Sequence, residues 1–157
     1  MAEKETPASI PAPAGFTLLK LPQSGFGKLW SSRFYGRRED GKLTMAMQVQ
    51  AQDLNGAGGC HGAVVLAFCD TLMTLGSNIQ AGLLSHLTTV NLTCDFISPA
   101  PLGSWLEGRL EVLRATGSLV FSQGTLSADG KLVARMNALL KLYKEQNPAL
   151  TPDSYFS

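Results

Sequence analysis

The chain has 157 residues, of which 45% are hydrophobic and only 16% are charged, with a formal net charge of +1 at pH 7. This length suits a single domain, and the near-neutral charge excludes a broad basic surface for nucleic acid. The charged share is low against the usual quarter, so we expect some surface to be buried between subunits.

Cysteine usage and hydropathy indicate the compartment. Cys60, Cys69 and Cys94 form no CxxC pair, and an odd count argues against a disulfide scaffold. The N-terminal residues lack the apolar segment of a secretory signal. No 18-residue run is apolar enough to predict a membrane span. We therefore expect a cytoplasmic protein that makes no contact with a membrane.

Two strands are predicted before the first helix, over residues 28–36 and 42–50. The Asp40-Gly41 pair between them is a strong hairpin signal. In the second strand apolar and polar residues alternate, so one of its faces should be buried.

The segments before these strands look irregular. Residues 1–14 are rich in Ala, Pro, Glu and Lys, which predicts a disordered N-terminal tail. Residues 15–27 contain several turn formers, and we interpret them as short turns around one docking segment that starts at Phe16.

A long helix is predicted over residues 61–81, which contain no proline. Its apolar residues recur at steps of three and four, as in a buried helix: Val64, Phe68, Leu72, Leu75 and Ile79. Gly82 follows where a C-cap glycine would stand. Gly76, inside the helix, costs about 1 kcal/mol against Ala, so it suggests close packing there.

Four more strands follow. They are predicted over 86–97, 104–115, 118–127 and 131–144, with Asp129-Gly130 as the hairpin signal between the last two. Residues 146–157 are interpreted as a C-terminal tail. Two strands, one helix and four strands show no βαβ alternation, so the class is α+β, with one antiparallel sheet and the helix on one face. Residues 15–145 would form this single domain.

One acidic residue stands out in the helix. Asp70 is the only Asp, Glu, Lys or Arg between Leu54 and Cys94. A buried carboxylate is costly unless it is hydrogen-bonded or functional, and such groups cluster at active sites. The alternative is an Asp that faces a solvated groove or bonds to a backbone group.

The segment that leads into the helix contains four glycines and ends with His61-Gly62. Free N–H groups at a helix N-terminus favour a developing oxyanion or a phosphate. The segment matches neither a P-loop nor a dinucleotide fingerprint. It could also be a flexible loop whose glycines only turn the chain.

His61 and Asp70 lie nine residues apart, about half a turn out of phase and about 13 Å along a helix. They cannot meet within one chain if both lie on this helix. Two copies packed antiparallel about a two-fold axis would bring His61 of one to Asp70 of the other.

The pattern of Asn55, His61-Gly62 and Asp70, followed by Thr89 and the strand end at residues 96–99, resembles the hotdog-fold acyl-CoA thioesterases. The similarity is greatest to the PaaI-like subfamily and covers about residues 28–143. It implies one long central helix wrapped by a five- or six-stranded antiparallel sheet. It also implies homodimers, often paired into tetramers, with sites at the subunit interface.

The resemblance also implies residue roles. Asp70 would be the general base or nucleophile, and the Gly62 N–H would polarise the thioester carbonyl. Asn55 and His61 of the facing subunit would position the thioester or the water, and Thr89 would help to hold the water. The residues expected to contact the substrate are Ala63, Thr71 and Phe68. The family usually has a second Gly after the His, so the Ala63 methyl would narrow the acyl pocket.

The substrate would be an acyl-CoA, hydrolysed without a metal or other cofactor, because polarising donors and an activated water suffice. His61 and His86 lack metal-ligand spacing. Two alternatives stay open: a hydratase or dehydratase on acyl-thioesters, and a non-catalytic acyl-CoA-binding domain. Some late basic residues could contact CoA phosphates.

Overall fold

Seven strands and one α-helix form the protein, in a computed structural model that describes residues 11–30 and 32–156. The predicted disordered segment therefore lies mostly outside the described residues. The elements in chain order are β1 (Thr17–Leu18), β2 (Tyr35–Glu39), β3 (Lys42–Gln48), α1 (Gly62–Ala81), β4 (Leu87–Phe96), β5 (Trp105–Ala115), β6 (Leu119–Ala128) and β7 (Lys131–Leu142).

All neighbouring strands of the sheet pair antiparallel, in the order β1-β2-β3-β5-β6-β7-β4. This confirms the α+β prediction. The sheet has one strand more than predicted, because the docking segment adds the two-residue strand β1 to β2. β4, the first strand after the helix, lies at the far edge beside β7, and within the described residues its other edge is unpaired.

Two hairpins close as the sequence predicts. Asp40 and Gly41 have φ values of 50° and 74°, and Asp129 and Gly130 have 47° and 83°. Positive φ at both central residues defines the turn whose twist matches that of the paired strands.

Helix α1 packs against the sheet. Phe68, Leu72 and Met73 on its inner face are fully buried, and Gly82 ends it at φ 61° and ψ 42°, as predicted. A methyl group built on Gly76 would lie 1.9 Å from Leu110 Cδ2. The close approach predicted for this glycine is confirmed, and it brings α1 against β5.

The expectation that no segment is apolar enough for a membrane span needs correction. By length and composition, Gly62–Ala81 would be sufficient to cross a bilayer. In this structure the segment is the core helix, with ten residues buried against the sheet and the loops around it. The same apolar composition serves a central helix that is covered on most sides.

The prediction that β3 is half-buried is also wrong, because both of its faces are covered. Met45 and Met47 face the main core. Ala46, on the opposite face, is fully buried in a second cluster with Phe16 and Trp105. The alternation of apolar and polar residues along β3 does not predict that its second face is buried, because the residues that cover this face include Phe16 of the N-terminal segment.

The strand predicted over residues 28–36 starts only at Tyr35. Gly25–Leu29 forms a 3-10 helix, and the N–H of Arg33 bonds to the Trp30 carbonyl at 2.9 Å. The rings of Trp30 and Phe34 stack with centroids 5.8 Å apart. In an extended strand, residues four positions apart lie about 13 Å from each other, too far for their rings to stack, so this contact requires the chain to turn here.

Residues 152–156, part of the segment 146–157 that is predicted as a tail, contact the domain. The Lys20 N–H donates to the Tyr155 carbonyl at 2.9 Å, and Tyr155 and Phe156 contact the main core. Arg38 forms an ion pair with Asp153 at 2.6 Å. The two aromatic residues make this docking favourable because their burial removes apolar area from water.

Candidate active site

The Asp70 carboxylate is held by a hydroxyl group from the edge strand. Thr89 Oγ1 donates a hydrogen bond to Asp70 Oδ1 at 2.5 Å, and both residues are half-buried. The pairing of β4 with β7 shifts register between Thr89 and Asn91, and such bulges re-aim a side chain. The Asp70–Thr89 pair leaves Asp70 Oδ2 without a hydrogen bond to a described side chain.

His61 caps the N-terminus of α1. Its Nδ1 accepts the Ala63 N–H at 3.0 Å. A nitrogen that accepts carries no proton, so the neutral ring holds its proton on Nε2. His61 is exposed, and its Nε2–H is therefore a donor on the surface.

The side chain of Asn55, like that of His61, is oriented so that a donor group is left for a ligand. Its Oδ1 accepts the N–H groups of Ala57 at 2.9 Å and Gly59 at 3.3 Å. Because the oxygen is occupied by the loop, the amide NH₂ is the part of Asn55 that is left for a ligand.

Gly62 supplies a third donor. Its N–H opens the helix, where N–H groups have no partner in the preceding turn, and no residue of the described ranges accepts from it. We call Asn55, His61 and Gly62 the donor cluster. Next to it lies a pocket of about 330 Å³, lined by Asn55, Cys60, Gly62, Val65, Phe96, Ile97, Ser98, Pro99, Ala100 and Val133.

The donor cluster and the Asp70–Thr89 pair are apart in one chain. Gly62 and Asp70 are eight residues apart on α1, which corresponds to about 12 Å along the helix axis. The structure therefore brings Asp70 to Thr89, and Asn55 to the start of the helix with His61 and Gly62, but it does not bring the two sets together.

The three predicted substrate contacts lie in different surroundings. Ala63 is exposed on the first turn of α1, and Thr71 is half-buried with its hydroxyl bonded to the Ala67 carbonyl at 3.0 Å. Phe68 is fully buried, and its ring meets that of Phe34 edge-on at 5.4 Å. This position makes Phe68 a core residue and does not support the predicted contact with substrate.

The cysteines near the site are poor nucleophiles. Burial is the main cause that raises the pKa of the Cys60 thiol from 9.0 to about 11, and the Asp53 charge adds to it. Burial also raises the pKa of Cys69, whose thiol hydrogen-bonds with Cys94. A thiol that stays protonated at neutral pH attacks slowly.

Sequence analysis missed the ion pair of Arg33 and Asp53, which lies next to the donor cluster. Arg33 and Asp53 are bonded to each other through both carboxylate oxygens. Asp53 lies directly before the charge-free stretch, but no local pattern connects it to an arginine twenty positions earlier.

No lysine or arginine of the described residues lines the pocket beside the donor cluster. Arg135 pairs with Asp95 at 2.7 Å, and the Lys141 ammonium lies 5.8 Å from the centre of the Tyr143 ring. Within residues 11–30 and 32–156, no three His, Cys, Asp or Glu side chains could together hold a metal ion. Metal-free catalysis stays a prediction.

Comparison with known proteins agrees with this fold. Residues 57–134 match the model of the thioesterase superfamily. A search of curated protein sequences found no significant match.

Three solved structures are similar. The PaaI protein of the E. coli phenylacetic acid degradation operon has a TM-score of 0.63 and 23% identity, over 69% of this chain and 78% of that one. A hypothetical thioesterase protein of Streptococcus pneumoniae TIGR4, solved with coenzyme A, has a TM-score of 0.65 and 16% identity, over 73% of this chain and 90% of that one. Zebrafish thioesterase superfamily member 2 has a TM-score of 0.66 and 23% identity, over 76% of this chain and 87% of that one.

The family model covers the helix and most of the strands that follow, just under half of the chain. One long helix inside an antiparallel sheet is the hotdog fold of these similar structures.

Proposed function

We propose that the protein hydrolyses an acyl-CoA thioester to a free acid and CoA, in a site made by two copies of the chain. One observation carries the proposal: the chain holds a set of hydrogen-bond donors and a carboxylate at two separate places on one helix. A carbonyl that must be polarised and a water that must be activated need these two groups on opposite sides.

The proposed reaction adds water across the C–S bond. The donor cluster holds the carbonyl oxygen while negative charge develops on it, and Asp70 Oδ2 takes the proton of the attacking water. The tetrahedral intermediate then expels the CoA thiolate, which receives a proton. In the alternative route Asp70 itself attacks, and water hydrolyses the resulting anhydride. Thr89 serves both routes, because its bond to Oδ1 leaves Oδ2 as the reacting oxygen.

The edge of β4 that is unpaired within the described residues supports a dimer that completes the site. Thr89 lies near the beginning of this strand, and Phe96 ends it. Phe96 also covers the helix start, since a methyl group built on Gly62 would lie 3.5 Å from its ring. Two β4 edges paired antiparallel would set Thr89 and Asp70 of one subunit beside the helix start of the other.

Exposed apolar side chains around this edge favour the same assembly. They are Leu66, Val90, Phe96 and Ile97, with exposed fractions from 38% to 56%. Apolar residues clustered on a surface mark an interaction face. A tetramer and a cytoplasmic location stay predictions.

CoA as the leaving group is supported by the coenzyme A bound to the similar S. pneumoniae protein. The acyl pocket would lie beside the donor cluster. Among its lining residues only Asn55 and Ser98 have polar side chains besides the Cys60 thiol, which favours an uncharged acyl group.

The test is release of free CoA thiol from a series of acyl-CoA esters of increasing length, with saturated, aryl and enoyl members. Hydrolysis is expected for at least one class of ester. Loss of the enoyl double bond without thiol release would identify a hydratase. Calorimetric binding without any reaction would identify a binding domain. Light scattering would show whether the protein is at least a dimer.

A further inference from the structure

A largely buried ion pair lies next to the donor cluster. Arg33 Nη1 donates to Asp53 Oδ1 at 2.9 Å, and Nη2 donates to Oδ2. The Asp53 side chain is 2% exposed and that of Arg33 is 13% exposed. A guanidinium that meets both oxygens of a carboxylate in a buried place has a defined geometry.

Arg33 is held from several directions. Its Nη2 also donates to the Gln48 carbonyl at 3.3 Å, and its Cζ lies 5.6 Å from the centre of the Trp30 ring. The guanidinium is therefore fixed both to β3 and to the turn before β2.

Asp53 links the fixed guanidinium to the site by hydrogen bonds. Its Oδ2 accepts the Gln50 N–H at 2.8 Å. Its own carbonyl accepts the His61 N–H at 2.7 Å. The Asp53 carbonyl therefore joins the ion pair to His61, which caps α1 and precedes Gly62.

The loop between Asp53 and His61 has few other constraints. It contains Gly56, Gly58 and Gly59, and Gly58 adopts φ 86°. Asn55 bonds within the same loop, so its bonds set the shape of the loop but not its position on the domain. Other anchors are the Cys60 N–H, which bonds to the Ala100 carbonyl at 2.8 Å, the bridge between Gly59 and Pro101, and the packing of Leu54 and Cys60 in the main core.

We propose that Arg33 and Asp53 are a positioning pair that sets where His61 and Gly62 present their donors to the substrate. This inference rests on the proposed function for its effect on turnover. Without the guanidinium, Asp53 would be a buried carboxylate without its cationic partner, which is strongly unfavourable. The 50–53 turn would then move to reach water, and the His61 N–H would lose its acceptor. Small displacements of positioned groups are costly to the reaction.

The test compares Arg33→Met with Arg38→Met. Arg38 is the matched control, because it is also an arginine paired with an aspartate, but on the surface and with Asp153 88% exposed. We expect Arg33→Met to lower kcat by about 100-fold, with KM changed by less than about 3-fold because the pocket is intact. Arg38→Met should leave both constants unchanged.

A chemical rescue separates positioning from mere loss of folding. Arg33→Ala leaves a space for a guanidinium ion beside Asp53, whereas Arg33→Met fills it. Guanidinium at millimolar concentration should restore kcat of Arg33→Ala by about 10-fold and leave Arg33→Met as it was. Wild-type kcat in folded Arg33→Met, or rescue of neither variant, would overturn the proposal.

Amide hydrogen exchange tests the pair without relying on turnover. The His61 amide should exchange about 10-fold faster in Arg33→Met than in wild type, with no change in Arg38→Met. If the wild-type protein releases no CoA, the proposed function fails, and this measurement still decides the inference. Unchanged His61 exchange in Arg33→Met would refute it.

Discussion

Thr89 on the edge strand donates its hydroxyl hydrogen to Asp70 Oδ1 at 2.5 Å, across 19 positions of the chain. This bond fixes the rotation of the carboxylate, so that Oδ2 faces away from Thr89. The oxygen that would accept a proton from water is thus selected by a strand residue.

The first prediction concerns this carboxylate. Asp70→Asn should lower kcat for acyl-CoA by at least about 10²–10⁴-fold, the range for loss of a general base. The KM should change little, because the amide has nearly the same shape. The control is Asp95→Asn. Asp95 is an exposed aspartate on β4 and is paired with Arg135 on β7. Equal activity of the two variants would exclude Asp70 from the reaction.

The second prediction concerns the hydroxyl of Thr89. Thr89→Val keeps the shape but removes the donor, so kcat should fall by about 10-fold, as for loss of a hydrogen bond to a charged group. Thr89→Ser keeps the hydroxyl and should retain most of the activity. Steady-state kinetics of the pair would test this, and equal kcat values for Val and Ser would show that the bond to Asp70 is not used.

The third prediction tests whether two chains share the site. Asp70→Asn and His61→Ala subunits, each weakly active alone, should regain partial activity when they are mixed. A mixed dimer would have one site with both changes and one intact site. Turnover is measured after subunit exchange has been verified by mass spectrometry. Activity that stays at the level of the parents would refute a shared site.

The fourth prediction addresses the contact between α1 and β5. Gly76→Ala places a methyl group 1.9 Å from Leu110 Cδ2, in a buried region. Overpacking of about 1–3 kcal/mol should outweigh the gain of about 1 kcal/mol in helix propensity. We expect a lower free energy of unfolding in urea.

Gly117→Ala provides the comparison for that measurement. Gly117 is exposed, with no atom within 4 Å of an added methyl group. Its stability should equal or exceed that of the wild type. If Gly76→Ala is as stable as Gly117→Ala, Leu110 can move aside and the contact is looser than the structure indicates.

The fifth prediction concerns stability at alkaline pH. Burial raises the pKa of Cys60 from 9.0 to about 11, so above pH 9 the unfolded chain loses a proton that the folded chain keeps. The contribution of Cys60 to stability is complete below pH 9 and disappears as the pH rises through about 11. Burial of Cys69 acts in the same direction.

Unfolding free energies of wild type and Cys60→Ala, measured in urea across this pH interval, would isolate the effect of one thiol. The variant should be less stable at neutral pH because it leaves a cavity. Its stability should also fall less steeply between pH 9 and about 11. Parallel curves for the two proteins would contradict the raised pKa of Cys60.

The sequence alone determined the helix, the later strands and the hairpins. Apolar residues at steps of three and four specify a buried helix, and alternating residues specify strands, since these periods are properties of the local backbone. Asp-Gly pairs specify two turns for an equally local reason. The phase of His61 and Asp70 along one helix was also calculable, so their separation in one chain could be predicted.

Only the tertiary structure decided which distant groups meet. No local period links Thr89 to Asp70 or Arg33 to Asp53, because a hydrogen bond between separate elements depends on strand order and register. The same reason explains the turn at Trp30 and the docking of Tyr155, because both rings pack against the main core, which residues from distant parts of the chain form. Local sequence sets the elements, whereas burial and pairing between elements set the positions of the side chains that would carry the chemistry.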